Sequence, residues 1–151
     1  MEYLEFDDFI LINHLTIERH GGYFNPPKNL KNPESLKYLV EAVEGQVFGR
    51  ELYPEIHDKA GFYLFSVNSN HVFQDGNKRT GLEAALLFLK LNGYRLKDEL
   101  VRVKLEAKGI PEKGDSSNEI LFNFVIETAS SKLSLEECGY WFKANIEVVR
   151  R

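Results

Sequence analysis

The chain has 151 residues, with hydrophobic residues at 43%, aromatics at 13% and charged residues at 28%, a composition that can build one compact core and excludes a disordered chain. Nineteen Lys and Arg against 23 Asp and Glu give a net charge of −4, which argues against nucleic acid or an anionic membrane as partner. The single cysteine, Cys138, excludes an internal disulfide and points to a cytoplasmic address.

The longest apolar stretches, such as Ala84 to Leu89, fall far short of the roughly 18 residues a membrane span needs. The start, Met1-Glu2-Tyr3-Leu4-Glu5, is acidic where a signal peptide is basic. The expectation is a soluble, unprocessed single domain over residues 1–151, and apolar residues at helical spacing along most of its length predict an all-α bundle.

Asp7 or Asp8 caps a first helix carrying Phe9, Ile10, Ile12, Leu15 and Ile17, which Gly21-Gly22 stops. Tyr23 to Lys31 contains Pro26-Pro27 and reads as an exposed loop. Asn32-Pro33 opens a second helix with Leu36, Leu39, Val40, Val43 and Val47 on one stripe. A third begins at Pro54, buries Ile56, Ala60, Tyr63, Leu64 and Val67, and runs out near Asn70-His71. From Asn77 to Asn92 the chain is apolar on nearly every side, which predicts the buried central helix of the bundle, with Gly93 as its stop.

Leu100 to Lys108 alternates like a strand yet holds good helix formers, and is taken as helix. A loop follows from Gly109 to Asp115. Ser116 to Asn118 then caps a helix with Ile120, Leu121, Phe124 and Val125, and Ser134-Leu135-Glu136-Glu137 fits a capping box before a last helix anchored by Trp141 and Phe142. The aromatic cluster Phe62, Tyr63 and Phe65 reads as core. His14, His20 and His57 have no partner at metal-ligand spacing and read as structural or surface residues.

One connection concentrates chemistry: His71-Val72-Phe73-Gln74-Asp75-Gly76-Asn77-Lys78-Arg79. A helix opening at Asn77 leaves backbone N–H groups unpaired at its positive end, and Gly76 lets a ligand approach closely. With Lys78 and Arg79 these groups form a phosphate site. Asp75 supplies the hard oxygen that Mg²⁺ takes together with phosphate oxygens. The His71 imidazole can accept a proton from a hydroxyl nucleophile, while Phe73 pins the loop into the core. The set points to phosphoryl or nucleotidyl transfer from a Mg-nucleotide. Plain alternatives stand beside each: a hydrogen-bonded helix-end histidine for His71, an N-cap for Asp75, and solvated first-turn charges for Lys78 and Arg79.

The segment resembles the signature of the Fic/Doc superfamily: histidine, phenylalanine, an acidic residue, glycine, asparagine and arginine in this order and spacing. With about 5% per residue type, six fixed positions coincide on the order of 10⁻⁸ times per starting point. Asn77-Lys78-Arg79-Thr80, Ala85-Leu86-Leu87-Phe88-Leu89 and Asn92-Gly93 resemble its Doc branch, the death-on-curing toxins, as does Glu18-Arg19-His20-Gly21-Gly22.

The resemblance implies a Fic-like helical fold in which His71 is the general base, Asp75 the Mg²⁺ ligand, and Gly76, Asn77 and Arg79 the cradle for nucleotide phosphates. The Pro26-Pro27 loop falls where the family has a flap that docks the target segment. The AMP-transferring Fic pattern has glycine at Lys78 and a second arginine at Leu82. Both departures are shared with the Doc branch and favour transfer of the terminal phosphate of ATP to a protein hydroxyl, on a translation elongation factor. AMP transfer and a catalytically silent binding module are the alternatives. Many Fic proteins carry an inhibitory helix with Ser/Thr and, four residues later, Glu followed by Gly or Asn. Here only Glu44 precedes such a residue, and Val40 stands where the Ser/Thr belongs, so the expected restraint is a separate antitoxin.

Overall fold

The computed structural model describes residues 1–101, 103, 116–130 and 132–149. Among them the apolar stripes close into six helices: α1 (Phe6–His20), α2 (Pro33–Ala42), α3 (Ile56–Ser69), α4 (Asn77–Leu91), α5 (Ser117–Ala129) and α6 (Leu135–Asn145). The expected helical class is the observed one. Among the described residues no helix is long and apolar enough to cross a membrane.

The helix starts follow from local chemistry. Ser134 and Glu137 form the expected capping box of α6, and Ser116 caps α5 by accepting the N–H of Glu119. The first helix starts at Phe6, because Glu5, and not Asp7 or Asp8, is its cap, and the Asp8 carboxylate accepts the Glu5 N–H at 2.7 Å. In the same way α3 starts at Ile56 behind Glu55 and Asp58, leaving Pro54 outside.

Two further expectations are corrected. Val47 does not extend the second helix, which ends at Ala42: it lies in β1 (Gln46–Val47), paired antiparallel with β2 (Arg50–Glu51), and is about half exposed. Phe48 and Gly49, both at positive φ, make the tight turn that reverses the chain there. The buried central helix is α3, with nine buried residues in fourteen against six in fifteen for α4. One flank of α4 stays open at Leu82, and Leu91 is exposed. Finally, β3 (Tyr94–Leu96) pairs with β4 (Ile146–Val148), Tyr94 opposite Val148, and closes the ends of α4 and α6 together. The helix expected from Leu100 to Lys108 and the loop from Gly109 to Asp115 lie outside the described residues, except for Leu100, Val101 and Val103, which are not helical.

The core centres on α3. Tyr63 is fully buried between Phe9 of α1 and Phe88 of α4, edge to face with both at 5.4 and 5.0 Å, and its hydroxyl accepts the Leu4 N–H. On the α6 side, Phe124, Trp141 and Phe142 pack on one another, and the buried Cys138 thiol, 3.5 Å from Thr128 Oγ1, is pushed up by burial to about 12. At the start of α3, buried Lys59 reaches Glu51 and the Tyr53 carbonyl and so ties the β1–β2 hairpin down. The other end of α3 leads into the connection that the sequence singled out.

Candidate active site

Helix α3 stops at Ser69, and seven residues, 70–76, reverse the chain into α4. His71 has φ +46, a left-handed conformation that turns the backbone sharply. Asn32, just before α2, steadies this turn by donating to the carbonyls of Asn70 and His71 at 2.9 and 3.0 Å. The His71 side chain itself is exposed and has no hydrogen-bond partner among the described residues. Its plain reading, a hydrogen-bonded helix-end histidine, does not describe it.

Val72 and Phe73 turn inward and are buried, so Phe73 takes the pinning place expected of it. Asn77 closes a ring on that residue: its Oδ1 accepts the Phe73 N–H and its Nδ2 donates to the Phe73 carbonyl, both at 2.9 Å. From the opposite side Phe73 pairs with Leu30, a strand-like bridge that joins the Tyr23–Lys31 loop to the turn. The Lys31 N–H adds a bond to the Val72 carbonyl, and the Gln74 N–H one to Asn29.

Asp75 is exposed, and both its carboxylate oxygens are held. Oδ1 accepts the Gly76 N–H and Oδ2 the Tyr23 N–H, each at 2.9 Å. Gly76, at φ +79, is the residue that caps α4, so Asp75 stands one place before the cap. A Cβ on Gly76 would lie 3.0 Å from Asn13 Nδ2 and 3.1 Å from Ile17. Thr80 N–H is the first to bond back into the turn, to the Gly76 carbonyl. The N–H groups of Asn77, Lys78 and Arg79 take no partner among the described residues. That helix end carries a partial positive charge, and Lys78 and Arg79 add two exposed cations to it. Both cations line a groove of about 400 Å³ between α4 and α5, walled by Leu82, Leu121, Phe122, Val125 and Ile126.

Two residues that the sequence reading missed hold this turn from below. Asn13, fully buried in α1, donates to the Asp75 carbonyl at 2.9 Å and to Thr80 Oγ1 at 3.0 Å. Asn29, also buried, sits at φ +57 in the loop and donates to Asn13 Oδ1 at 2.9 Å and to the Asp75 carbonyl at 3.2 Å. A signal existed for Asn13, a polar residue on the inward stripe between Phe9 and Thr16. Asn29 gave none, since it lies in a segment that reads as exposed loop.

The remaining histidines have the plain roles expected. His14 reaches Glu18 and stacks on Phe24, His57 lies beside Asp58, and His20 is exposed. Among the described residues no cluster of three or more His, Cys, Asp or Glu could hold a metal unaided. Asp75 is thus a single carboxylate whose oxygens each accept one N–H and keep further lone pairs. That suits Mg²⁺, which is bound by one or two carboxylates plus phosphate oxygens and water.

Comparison with known proteins bears on the same stretch. A model described as the Fic/DOC family matches residues 3–89, from before α1 into α4. The chain is similar to Protein kinase doc of Escherichia phage P1, 34% identical over 101 residues, covering 65% of this chain and 74% of that protein. It is also similar to Toxin Doc of Mycolicibacterium smegmatis, 34% identical over 95 residues, covering 63% of this chain and 68% of that protein.

Proposed function

The chain belongs to the Fic/DOC family, and we propose that it is a Doc-type toxin, an enzyme that transfers the terminal phosphate of Mg-ATP to a hydroxyl of a target protein. One observation carries the reading. Among the described residues, an unpartnered histidine stands at the mouth of a pinned turn that leads straight into a helix start with three free N–H groups and two free cations. The similarity to a protein named as a kinase supports the same chemistry.

His71 takes the proton from the target hydroxyl. As that oxygen bonds to the γ-phosphorus, the bond from phosphorus to the oxygen of ADP breaks, and ADP leaves with the displaced charge. The N–H groups of Asn77, Lys78 and Arg79, with the two side-chain cations, neutralise the phosphate oxygens without having to reorganise. The Asn77 side chain is engaged on Phe73, so it keeps the loop in shape and offers a phosphate its backbone N–H. Asp75 would hold Mg²⁺, which when bound draws charge from the phosphates. Leu82, where AMP-transferring relatives have a second arginine, gives the groove an apolar wall in place of another phosphate contact, and this favours phosphate over AMP as the group moved. A translation factor as target and a separate antitoxin as restraint follow from the family resemblance.

The test is a transfer reaction with purified protein, Mg²⁺ and bacterial lysate, run in parallel with ATP labelled on the α- and on the γ-phosphate. Label from the γ position alone on a protein band supports phosphorylation. Label from the α position makes the protein an AMP transferase. No label from either, with the folded protein and its target both present, leaves a silent binding module.

A further inference from the structure

An exposed carboxylate ordinarily turns freely about its side-chain bonds, and fixing it costs entropy. Asp75 is fixed from two directions. The Gly76 N–H holds Oδ1 within the turn itself, whereas the Tyr23 N–H holds Oδ2 from 52 residues away in the chain. That second bond depends on Gly22. Its φ of +116 aims the following N–H at the carboxylate, and a Cβ there would lie 2.8 Å from Oδ2, closer than real contacts come. The next nearest atoms, Asp75 Cγ and Ile17 Cγ1, are at 3.5 and 3.6 Å. A methyl at position 22 therefore collides with the tip of the Asp75 side chain, and at this φ it strains the backbone as well.

We infer that Gly22 and the Tyr23 N–H are a positioning element for Asp75, through which the Tyr23–Lys31 loop and the cation-binding carboxylate set each other's geometry. The inference rests on the proposed function for the cation, and on hydrogen bonds alone for the coupling. The loop is tied to the same turn by Asn29 on the Asp75 carbonyl, by Gln74 N–H on Asn29 and by Lys31 N–H on Val72. A shift of the loop thus acts on the carboxylate, and a cation on the carboxylate acts on the loop. The free lone pairs of both oxygens keep one direction, as a hard cation requires.

Amide hydrogen exchange on the full chain without nucleotide reads the bond directly. In the wild type the Tyr23 amide exchanges at least about tenfold more slowly than in Asp75→Ala, and Gly22→Ala loses the same protection. Combining the two substitutions adds nothing beyond Asp75→Ala, the mark of an effect that passes through the carboxylate. A Mn²⁺ titration in the presence of ADP is the second readout: Gly22→Ala weakens it by about fivefold or more. Equal Tyr23 exchange in wild type and Asp75→Ala overturns the inference, and that comparison stands even where Gly22→Ala fails to fold. A folded Gly22→Ala with unchanged exchange and Mn²⁺ affinity overturns the role of Gly22. A wild type that takes no Mn²⁺ overturns the cation half. The exchange readout needs no catalysis, so a protein that transfers nothing yet protects Tyr23 contradicts the proposed function and leaves the positioning bond intact.

Discussion

Against α6, α3 runs backbone on backbone: a Cβ on Gly61 would lie 2.7 Å from the Gly139 nitrogen, and Phe124 and Trp141 stack at 4.0 Å beside that seam. Where α3 hands over to α4, the contacts are amides and carbonyls, with Asn13, Asn29, Asn32 and Asn77 each bonded to the turn. The first region gains its strength from apolar burial, which is large and indifferent to direction. The second gains little net energy per bond but fixes individual atoms, because a hydrogen bond has a direction and an unmet buried partner is costly. Stability should therefore reside at the α3–α6 seam and transfer activity at the turn.

Substitutions can break that division. Trp141→Ala leaves a cavity against Phe124 beside the seam, and urea unfolding should show a loss of about 3–5 kcal/mol while the rate per folded molecule stays near wild type. The buried Cys138 thiol, kept protonated by a value pushed up to about 12, should resist alkylation at pH 8 until the seam opens. Labelling should then quicken more in Trp141→Ala than in any variant of the turn. Asn13→Ala removes donors from the Asp75 carbonyl and Thr80 and should cost about 1–3 kcal/mol. Its rate per folded molecule should fall at least about tenfold, and an unchanged rate would mean that the braces serve stability only. The smallest effect on stability belongs to His71→Ala. An exposed side chain with no partner among the described residues should change the unfolding free energy by less than about 0.5 kcal/mol.

The same division explains what could be read from the chain. Helix stripes and caps are local, so the Ser134–Glu137 box and the apolar faces around Leu36, Tyr63 and Phe124 were legible. The hairpin at Val47 was not, because a stripe can continue on paper past Gly45, where the chain has already turned. Which of two apolar helices lies at the centre depends on neighbours: α3 outranks α4 because α6 covers it, a long-range fact. The candidate turn was legible because His71 to Arg79 is one unbroken segment with its chemistry in order. Its supports were not, since Asn13 and Asn29 act from 62 and 46 residues away and Gly22 through a bond to a carboxylate across a loop.

The most direct test of the central claim compares the wild type with His71→Ala in transfer of label from γ-labelled ATP to protein, with and without added imidazole. The wild type should label its target, and the folded variant should lose on the order of 10²–10⁴ in rate, partly restored by imidazole standing in for the missing base. A folded His71→Ala protein that labels at the wild-type rate would contradict the assignment of His71, and with it the mechanism built on this turn.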